Sequence, residues 1–570
     1  MPTVQQQLQA RIDAALPENA EVAPAALRVV PATNPQFGDY QFNGALPLAK
    51  AQKTNPRALA QQILDKLDVS DICEPPEIAG PGFINFRLKR EFLEQAIAGV
   101  LLDPRLGVPS STDARCFIVD FSAPNVAKPM HVGHIRSTIL GACLARLLRF
   151  AGHEVVTDNH IGDWGTQFGK LIVGWKNHLD EENLQRDAIA EMERLYRLVN
   201  AQSENDETIA EAARAEVAKL QAGDETNLAI WKKLRELSQA QFDAIYGRLN
   251  VEFDETLGES FYNDQLPEVV ENLKSRGLAQ ESEGAIVVRF DAPPQLVDKA
   301  MLVRKSDGAF NYATTDLATL LYRIERWVPD EILYVVDARQ QLHFQQVFET
   351  ARLLGIENVA LRHIRFGAIL GEDNTPIKTR SGETIKLLDL LDEAQSRALE
   401  IVRAKNPELP EIEQKEVARA IGLGAVKYAD LAQNRATDYV FSWDKMLALQ
   451  GNSAPYLLYS YVRIRSIFRK AQSDEIASEL HLEHAAELEL AKHLLRLNEA
   501  IESALDDYRP NALTDYLFEL AQKFAAFYEA CPVLKAEAEV RSSRLALCRL
   551  TADILGKGLH LLGIETIEQM

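Results

Sequence analysis

The period of the apolar positions changes several times along this chain, and each change marks an element. "MPTVQQQLQARIDAALPENA" reads as an amphipathic helix. "GPGFINFRL" is a short β-like run behind a Gly-Pro-Gly turn, set among helical stretches, so residues 1–108 are expected to form an α+β domain. "LLDPRLGVPSSTDA" then reads as a linker. "RCFIVDFS" is an unbroken apolar run, the pattern of a buried strand. After it, Ile135, Ile139, Leu140, Leu144, Leu147 and Leu148 make a stripe at helical spacing, and "HEVVTDNHIGDWG" returns as a strand with a Gly-rich loop. Strand, helix and strand within about forty residues form a βαβ unit, which predicts a parallel sheet.

A mostly helical insertion follows, over about 175–250. Strand-like sequence returns in "GAIVVRF" and in "AMLVRKSDGAFNYATTDLATLLYRIERW", where Ser306-Asp307-Gly308 is a hairpin turn feeding a helix. "EILYVVDARQQLHFQQVFETARLLG" is strand then helix, and "LRHIRFGAIL" is a further strand ending in a polar, glycine-rich loop. From about 395 onward only helices are expected. The fold class is therefore α/β: a Rossmann-like parallel-sheet domain at 109–395, a helical connector at 396–440 and an all-α domain at 441–570 behind the α+β N-terminal domain. A chain of 570 residues is too long for one core, which agrees.

Composition narrows the function. A formal charge of −21 argues against a protein that coats nucleic acid indiscriminately, but not against one that binds a folded RNA through local basic patches. "YSYVRIRSIFRK" is such a patch, with Arg463, Arg465, Arg469 and Lys470 among aromatics. The five cysteines are scattered and none forms a CxxC pair, so neither a disulfide framework nor a cysteine zinc site is expected, and a reducing cytoplasm fits. No run approaches ~18 apolar residues and no secretory leader is recognisable, so no membrane association is expected.

The densest chemistry is in "SAPNVAKPMHVGHIRSTILG". His131 and His134 flank Gly133 at a strand-to-helix junction, with Lys128 upstream. A metal site would need a third ligand, and beyond His160 no HExxH or carboxylate partner accompanies the pair. Two structural histidines at a helix start are a second reading. A phosphate site is the third: the helix after the first strand of a doubly wound sheet is where anions bind, and Gly133 would let a nucleotide approach the backbone. Two imidazoles there could donate hydrogen bonds to a triphosphate. "GDWGTQFGKL" lacks the glycine spacing of a Walker loop.

HVGH resembles the HIGH signature of class I aminoacyl-tRNA synthetases, and the wider string resembles arginyl-tRNA synthetases, as do "GDWGTQFG", "GESFYND", "NYATTDLA", "VVDARQQLH", "IKTRSGETIKL" and "NSAPYLLYSYVRIRSI". These strings span essentially the whole chain. The resemblance implies arginine activation with Mg-ATP, then transfer of arginine to the 3′ end of a tRNA. It assigns ATP to Lys128, His131, Gly133 and His134. A guanidinium-selective pocket needs carboxylates and a flat apolar face. Tyr312 and Asp316, four apart on a predicted helix, share one face and suit that role. The resemblance adds Glu259, Asn125 and Gln340 to the arginine site. A carboxylate-lined pocket makes an editing domain unnecessary, because a wrong ligand leaves buried acids unpaired.

The second class I signature, KMSKS, is degraded. In "NTPIKTRSGET", Pro376 stands where the first lysine belongs and Thr379 where the second does. The pattern resembles the arginyl subset in which the lysine before the HIGH string supplies the missing charge, here Lys128, with Lys378 and Arg380 remaining on the loop. The resemblance makes residues 1–108 a tRNA-elbow domain and 441–570 an anticodon-binding domain. Phe83 and Asn85, on one face of a short strand near Phe37, Asp39 and Tyr40, are expected to meet unstacked bases. Tyr456, Tyr459, Arg463 and Arg465 are the candidates at the other end. Adenylate formation is expected to require tRNA, the chain to act as a monomer in the cytoplasm, and no resident metal to be needed beyond the Mg2+ of the nucleotide. Two rivals stay open: a small-molecule nucleotidylyltransferase and a catalytically dead tRNA-binding paralogue.

Overall fold

The structure, a computed structural model, describes residues 2–17, 22–375, 377, 385–471 and 480–570. Two compact units result. One comprises Met1–Ser110, Ala448–His560 and Glu565–Met570, the other Ser111–Leu447 with Leu561–Ile564. The break at Ser110 falls inside the segment read as a linker.

In the first unit, β1 (Val29–Pro31), β2 (Tyr40–Phe42), β3 (Glu77–Ala79) and β4 (Phe83–Phe86) form an antiparallel sheet in the order β1-β2-β4-β3. The helix Val4–Ala15 is closed by a Thr3–Gln6 capping box and buries Val4, Leu8 and Ile12. The C-terminal helices, from Ala454–Ala471 to the greater part of Ala538–Leu561, belong to the same unit. Buried polar pairs join the two ends of the chain. Tyr40 Oη donates to Glu499 Oε1 at 2.7 Å, Lys492 pairs with Asp39 at 2.8 Å and Leu482 N donates to Glu94 at 2.8 Å.

These pairs correct two expectations. Tyr40 and Asp39 face the helical bundle instead of solvent, and burial, with Glu499 alongside, raises the Tyr40 phenol well above its usual range. Asn85, expected on an exposed face, lies in the central strand β4 at 6 % exposure, and its Oδ1 accepts from Gln41 Nε2 at 2.7 Å. A central strand has neighbours on both sides and no free edge.

In the second unit, β5 (Cys116–Asp120) and β6 (Glu154–Asp158) flank the helix Val132–Phe150 as the βαβ reading predicts. A small antiparallel sheet, β7 (Ala279–Ser282), β8 (Ala285–Val288) and β9 (Met301–Arg304), leads into the helix Tyr312–Trp327. The strand β10 (Glu331–Tyr334) precedes the helix Gln341–Leu353, and β11 (Ala360–His363) follows it. The parallel order is β11-β10-β5-β6, so the order reverses between β10 and β5. Ligands of such sheets bind outside the carboxyl ends of the strands at that switch point. The insertion is helical from Gln167 to Leu249, as expected, with short connections.

"LRHIRFGAIL" is two strands and not one. After β11 the chain bends, and β12 (Ile369–Leu370) pairs instead with β13 (Tyr439–Val440), so the region beyond 395 is not purely helical. Arg136, buried on the helix Val132–Phe150, is bonded at the bend: its guanidinium donates to Gly367 O at 2.8 Å and Thr437 O at 3.0 Å and pairs with Asp430 of the helix Glu411–Leu431 at 3.2 Å.

At the carboxyl ends of β5 and β6, Asp120 and Asp158 are both buried, and Arg323 from the helix Tyr312–Trp327 reaches each at 2.7 Å. Removing the one cation from such a cluster leaves two uncompensated buried carboxylates. Arg323→Met is therefore expected to destabilise this unit by roughly 3–5 kcal/mol. All five tryptophans (Trp164, Trp175, Trp231, Trp327 and Trp443) lie in it. Tryptophan fluorescence during urea unfolding reads this unit selectively, and an unchanged midpoint would refute the expectation.

Candidate active site

The loop after β5 is strained and over-determined. Ser122, Ala123 and Ala127 hold φ of 75°, 45° and 60°, a left-handed region that costs side-chain-bearing residues about 1–3 kcal/mol each. Neighbouring elements hold it there. Ser122 N donates to Ser137 Oγ at 2.8 Å, Ala123 N to Asn159 Oδ1 at 3.1 Å and Ala127 N to Ser238 Oγ at 2.9 Å. Val126 N donates to Gly162 O at 3.0 Å, which pins the loop to the GDWG turn. The strain presents Asn125 and Lys128 to solvent while Val126 and Ala127 are buried. Gly162 leaves room for the Asn125 side chain: a Cβ would lie 2.2 Å from Asn125 Oδ1.

His131 is the N-cap of the helix Val132–Phe150. Its Nδ1 accepts from Gly133 N at 3.0 Å, and His134 Nδ1 accepts from His131 N at 3.1 Å, a reciprocal capping box built from two imidazoles. The rings lie 4.0 Å apart. Accepting at Nδ1 places the proton of each neutral ring on Nε2, so both histidines are Nε2–H donors. Burial lowers the His131 imidazole, the Arg339 charge adding to it, and burial with the neighbouring His131 lowers His134 to about 3. Gly133 is explained by the same cap. A Cβ there would meet the His131 ring at 2.8 Å, so the glycine makes room for the imidazole folded over it.

The far end of the KMSKS-like loop returns to this place. Val132 N donates to Ile385 O at 3.0 Å, Leu387 N to Met130 O at 2.9 Å, and His131 pairs with Lys386 in a β-bridge. Lys378 and Arg380 themselves lie outside the described residues. Lys128 is exposed, its ammonium 5.6 Å from the Tyr196 ring centroid.

The acidic side of the site is built by the GDWG turn. Asp163, wholly buried, accepts from Ser260 N at 2.8 Å and Ser260 Oγ at 2.7 Å and so fixes the segment carrying Glu259. Glu259 N donates to Ile161 O at 3.1 Å. Burial pushes the Glu259 carboxyl up to about 7, against the opposing influence of His160 and with the Asp316 and Asp163 charges adding to the rise. Tyr312 opens the helix Tyr312–Trp327 at 69 % exposure and Asp316 lies one turn on, half-buried. Gln340 is exposed at the start of the helix Gln341–Leu353.

Asp163, Arg339, Lys386 and His343 were not singled out from the sequence. His343 Nε2 lies 2.5 Å from Asp316 Oδ2. Each stands within or beside a quoted motif, but nothing in the spacing says which neighbour it meets. The other predicted residues lie in the first unit. Tyr459 is exposed, and Arg463 stacks over it at 4.8 Å and over Tyr528 at 5.4 Å. Tyr456 and Phe83 are half-buried.

A strained loop and a histidine-capped helix follow β5, where the parallel sheet reverses its order, as in a class I tRNA synthetase catalytic domain. The family described as "tRNA synthetases class I (R), catalytic domain" matches residues 96–443, the "Arginyl tRNA synthetase N terminal domain" residues 3–88 and the "DALR anticodon binding domain" residues 457–570. The chain is 46 % identical to an arginine–tRNA ligase of Hahella chejuensis over 100 % of both chains. It is 48 % identical to that of Nostoc punctiforme, again over 100 % of both. The crystal structure of arginyl-tRNA synthetase from Plasmodium falciparum superposes with a TM-score of 0.84 at 30 % identity, covering 100 % of each chain. The chain belongs to the arginyl-tRNA synthetase family.

The cap and donor roles of His131 are separable. His131→Asn keeps a side-chain acceptor for Gly133 N–H but loses the Nε2–H. Pyrophosphate exchange is expected to fall about 10²–10³-fold. Stability is expected to change by less than about 1 kcal/mol. Near wild-type exchange would remove the donor role.

Proposed function

We propose that the Glu259–Asp316 acid pair reads the arginine guanidinium and that the Nε2–H donors of His131 and His134 receive the ATP phosphates. The protein is an arginine–tRNA ligase: it activates L-arginine with ATP and transfers the arginyl group to tRNA. The observation that supports the pocket is the Glu259 carboxyl, on the segment that Asp163 fixes and raised by burial, with the Asp316 charge adding to the rise although His343 pairs with that aspartate. Tyr312 supplies a flat face for the guanidinium, and Asn125 and Gln340 orient the amino-acid end of the substrate.

The arginine carboxylate attacks the α-phosphate, and pyrophosphate leaves. A terminal ribose hydroxyl of the tRNA then attacks the carbonyl carbon, and AMP leaves. No side chain need act as nucleophile; alignment and charge neutralisation lower the barrier. Neutral histidines suit this because they donate without binding pyrophosphate as a fixed cation would. Lys128, on the strained loop, neutralises phosphate charge in place of the missing KMSKS lysines, with Lys378 and Arg380 assisting. Mg2+ enters as part of the nucleotide substrate.

Phe83, Tyr456, Tyr459 and Arg463 contact tRNA, the Arg463–Tyr459–Tyr528 stack offering planar faces to bases. Asn85, being buried, serves by orienting Gln41. The four proposed domains are 1–108, 109–395, 396–440 and 441–570, and the enzyme works as a cytoplasmic monomer. No helix among the described residues is long and apolar enough to cross a membrane. Adenylate formation waits on tRNA.

Charging is expected to be specific for L-arginine over lysine and citrulline; equal charging of lysine would sink the pocket. Lys128→Ala is expected to depress adenylate formation far more than tRNA affinity, and retained turnover would shift the role to Lys378 or Arg380. Pyrophosphate exchange is expected only with tRNA present, including tRNA whose terminal ribose is oxidised. Full exchange without tRNA would reject the coupling.

A further inference from the structure

His343 contacts Asp316, one of the two acids just assigned to arginine, and it closes the string "VVDARQQLH" that supplied Gln340, though the pocket reading makes no use of it. It stands in the first turn of the helix Gln341–Leu353, three residues after Gln340. Its Nε2 meets Asp316 Oδ2 at 2.5 Å, joining that helix to Tyr312–Trp327, which carries Tyr312 and Asp316. Both side chains are about one quarter exposed, at 27 % and 22 %. Such a pair is partly withdrawn from solvent screening and still open to a ligand.

The imidazole is itself held. Its ring packs edge-on against Phe344 with centroids 5.3 Å apart. Phe344 is buried at 6 % and rests on Tyr334 of β10 at 5.0 Å. A bond that starts from a ring anchored to the central sheet fixes the direction of the Asp316 carboxylate. Burial pushes the His343 imidazole down, but the hydrogen bond and charge of Asp316 outweigh it and the net shift is upward. That is the mark of a charge-assisted pair. A carboxylate has two oxygens, and this bond occupies Oδ2.

We propose that His343 is a positioning residue for amino-acid selection: by donating from Nε2 to Asp316 Oδ2, it turns Oδ1 toward the incoming guanidinium and fixes its distance from Glu259. This rests on the reading of Asp316 as an arginine-binding acid. A carboxylate free to rotate would meet lysine's single ammonium as readily as a planar fork. One clamped at one oxygen offers a fixed acceptor, which favours the ligand with donors in fixed geometry. His343 therefore contributes to discrimination as well as to affinity.

The test is steady-state pyrophosphate exchange, with tRNA present, for Asp316→Asn, His343→Phe, His343→Gln and the double variant D316N/H343F. His343→Phe keeps ring volume and loses the donor, whereas His343→Gln keeps an N–H donor near the position of Nε2. His343→Phe is expected to raise the KM for arginine roughly 10- to 100-fold, the weight of a charge-assisted hydrogen bond. Its kcat and its KM for ATP are expected to stay within about twofold, since the phosphate side is untouched. His343→Gln is expected to recover most of the loss, and D316N/H343F to be no worse than D316N alone. An unaltered arginine KM in D316N would refute the pocket reading itself. Impairment in D316N with wild-type behaviour in H343F would overturn the role of His343 alone. So would equal impairment of H343Q and H343F, which would mark a packing role.

Discussion

One guanidinium holds the catalytic unit in register. β5 and β6 each end in an aspartate, and their adjacent, buried carboxylates would drive the strand ends apart. Arg323 answers both at 2.7 Å, and its guanidinium carbon also lies 5.6 Å from the Tyr334 ring centroid on β10. Three strands and one helix are thereby referenced to a single group. The helix is the one that begins with Tyr312 and Asp316, and β5 is the strand whose end launches the strained loop and the histidine cap. The separation between the two halves of the site is thus set in the interior, behind the surface that meets substrate. Desolvation makes such a cluster expensive, and the gain is geometric.

On that frame the site divides its electrostatics. On the side proposed for the nucleotide, burial lowers both imidazoles and the capping box uses their Nδ1 atoms, which leaves Nε2–H donors without fixed imidazolium charge. On the side proposed for the amino acid, burial raises Glu259 and the Asp316 charge adds to the rise, against the opposing influence of His160. A permanently charged planar cation relieves both at once. A neutral isostere such as citrulline would relieve neither, so the proposed acid pair would select for charge.

Periodicity and turn residues made the βαβ core, the helical insertion and the hairpin before the helix Tyr312–Trp327 legible, because each is specified locally. The helix start at His131 and His134 was legible because both lie in one short string, but their reciprocal cap was not read from it. Residues that act across long loops were not. Arg323, Asp163 and His343 look in sequence like ordinary charged positions, and their partners lie 165, 97 and 27 residues away. Tyr40 and Asn85 misled for a related reason: a short strand does not declare whether it is central or an edge, and the partner of Tyr40 is 459 residues distant. The break in "LRHIRFGAIL" carries a bond from Arg136, which no local pattern could connect to Gly367.

The charge imbalance of the pocket is open to direct measurement. Arginine binding can be followed by calorimetry at pH 7, with tRNA present, in buffers of different ionisation enthalpy. With the Glu259 carboxyl raised to about 7 by burial, entry of a guanidinium should force its ionisation and release about half a proton per arginine bound. The release should disappear in Glu259→Gln. Binding with no buffer dependence in the wild-type protein, or with proton uptake, would contradict a guanidinium seated between Glu259 and Asp316.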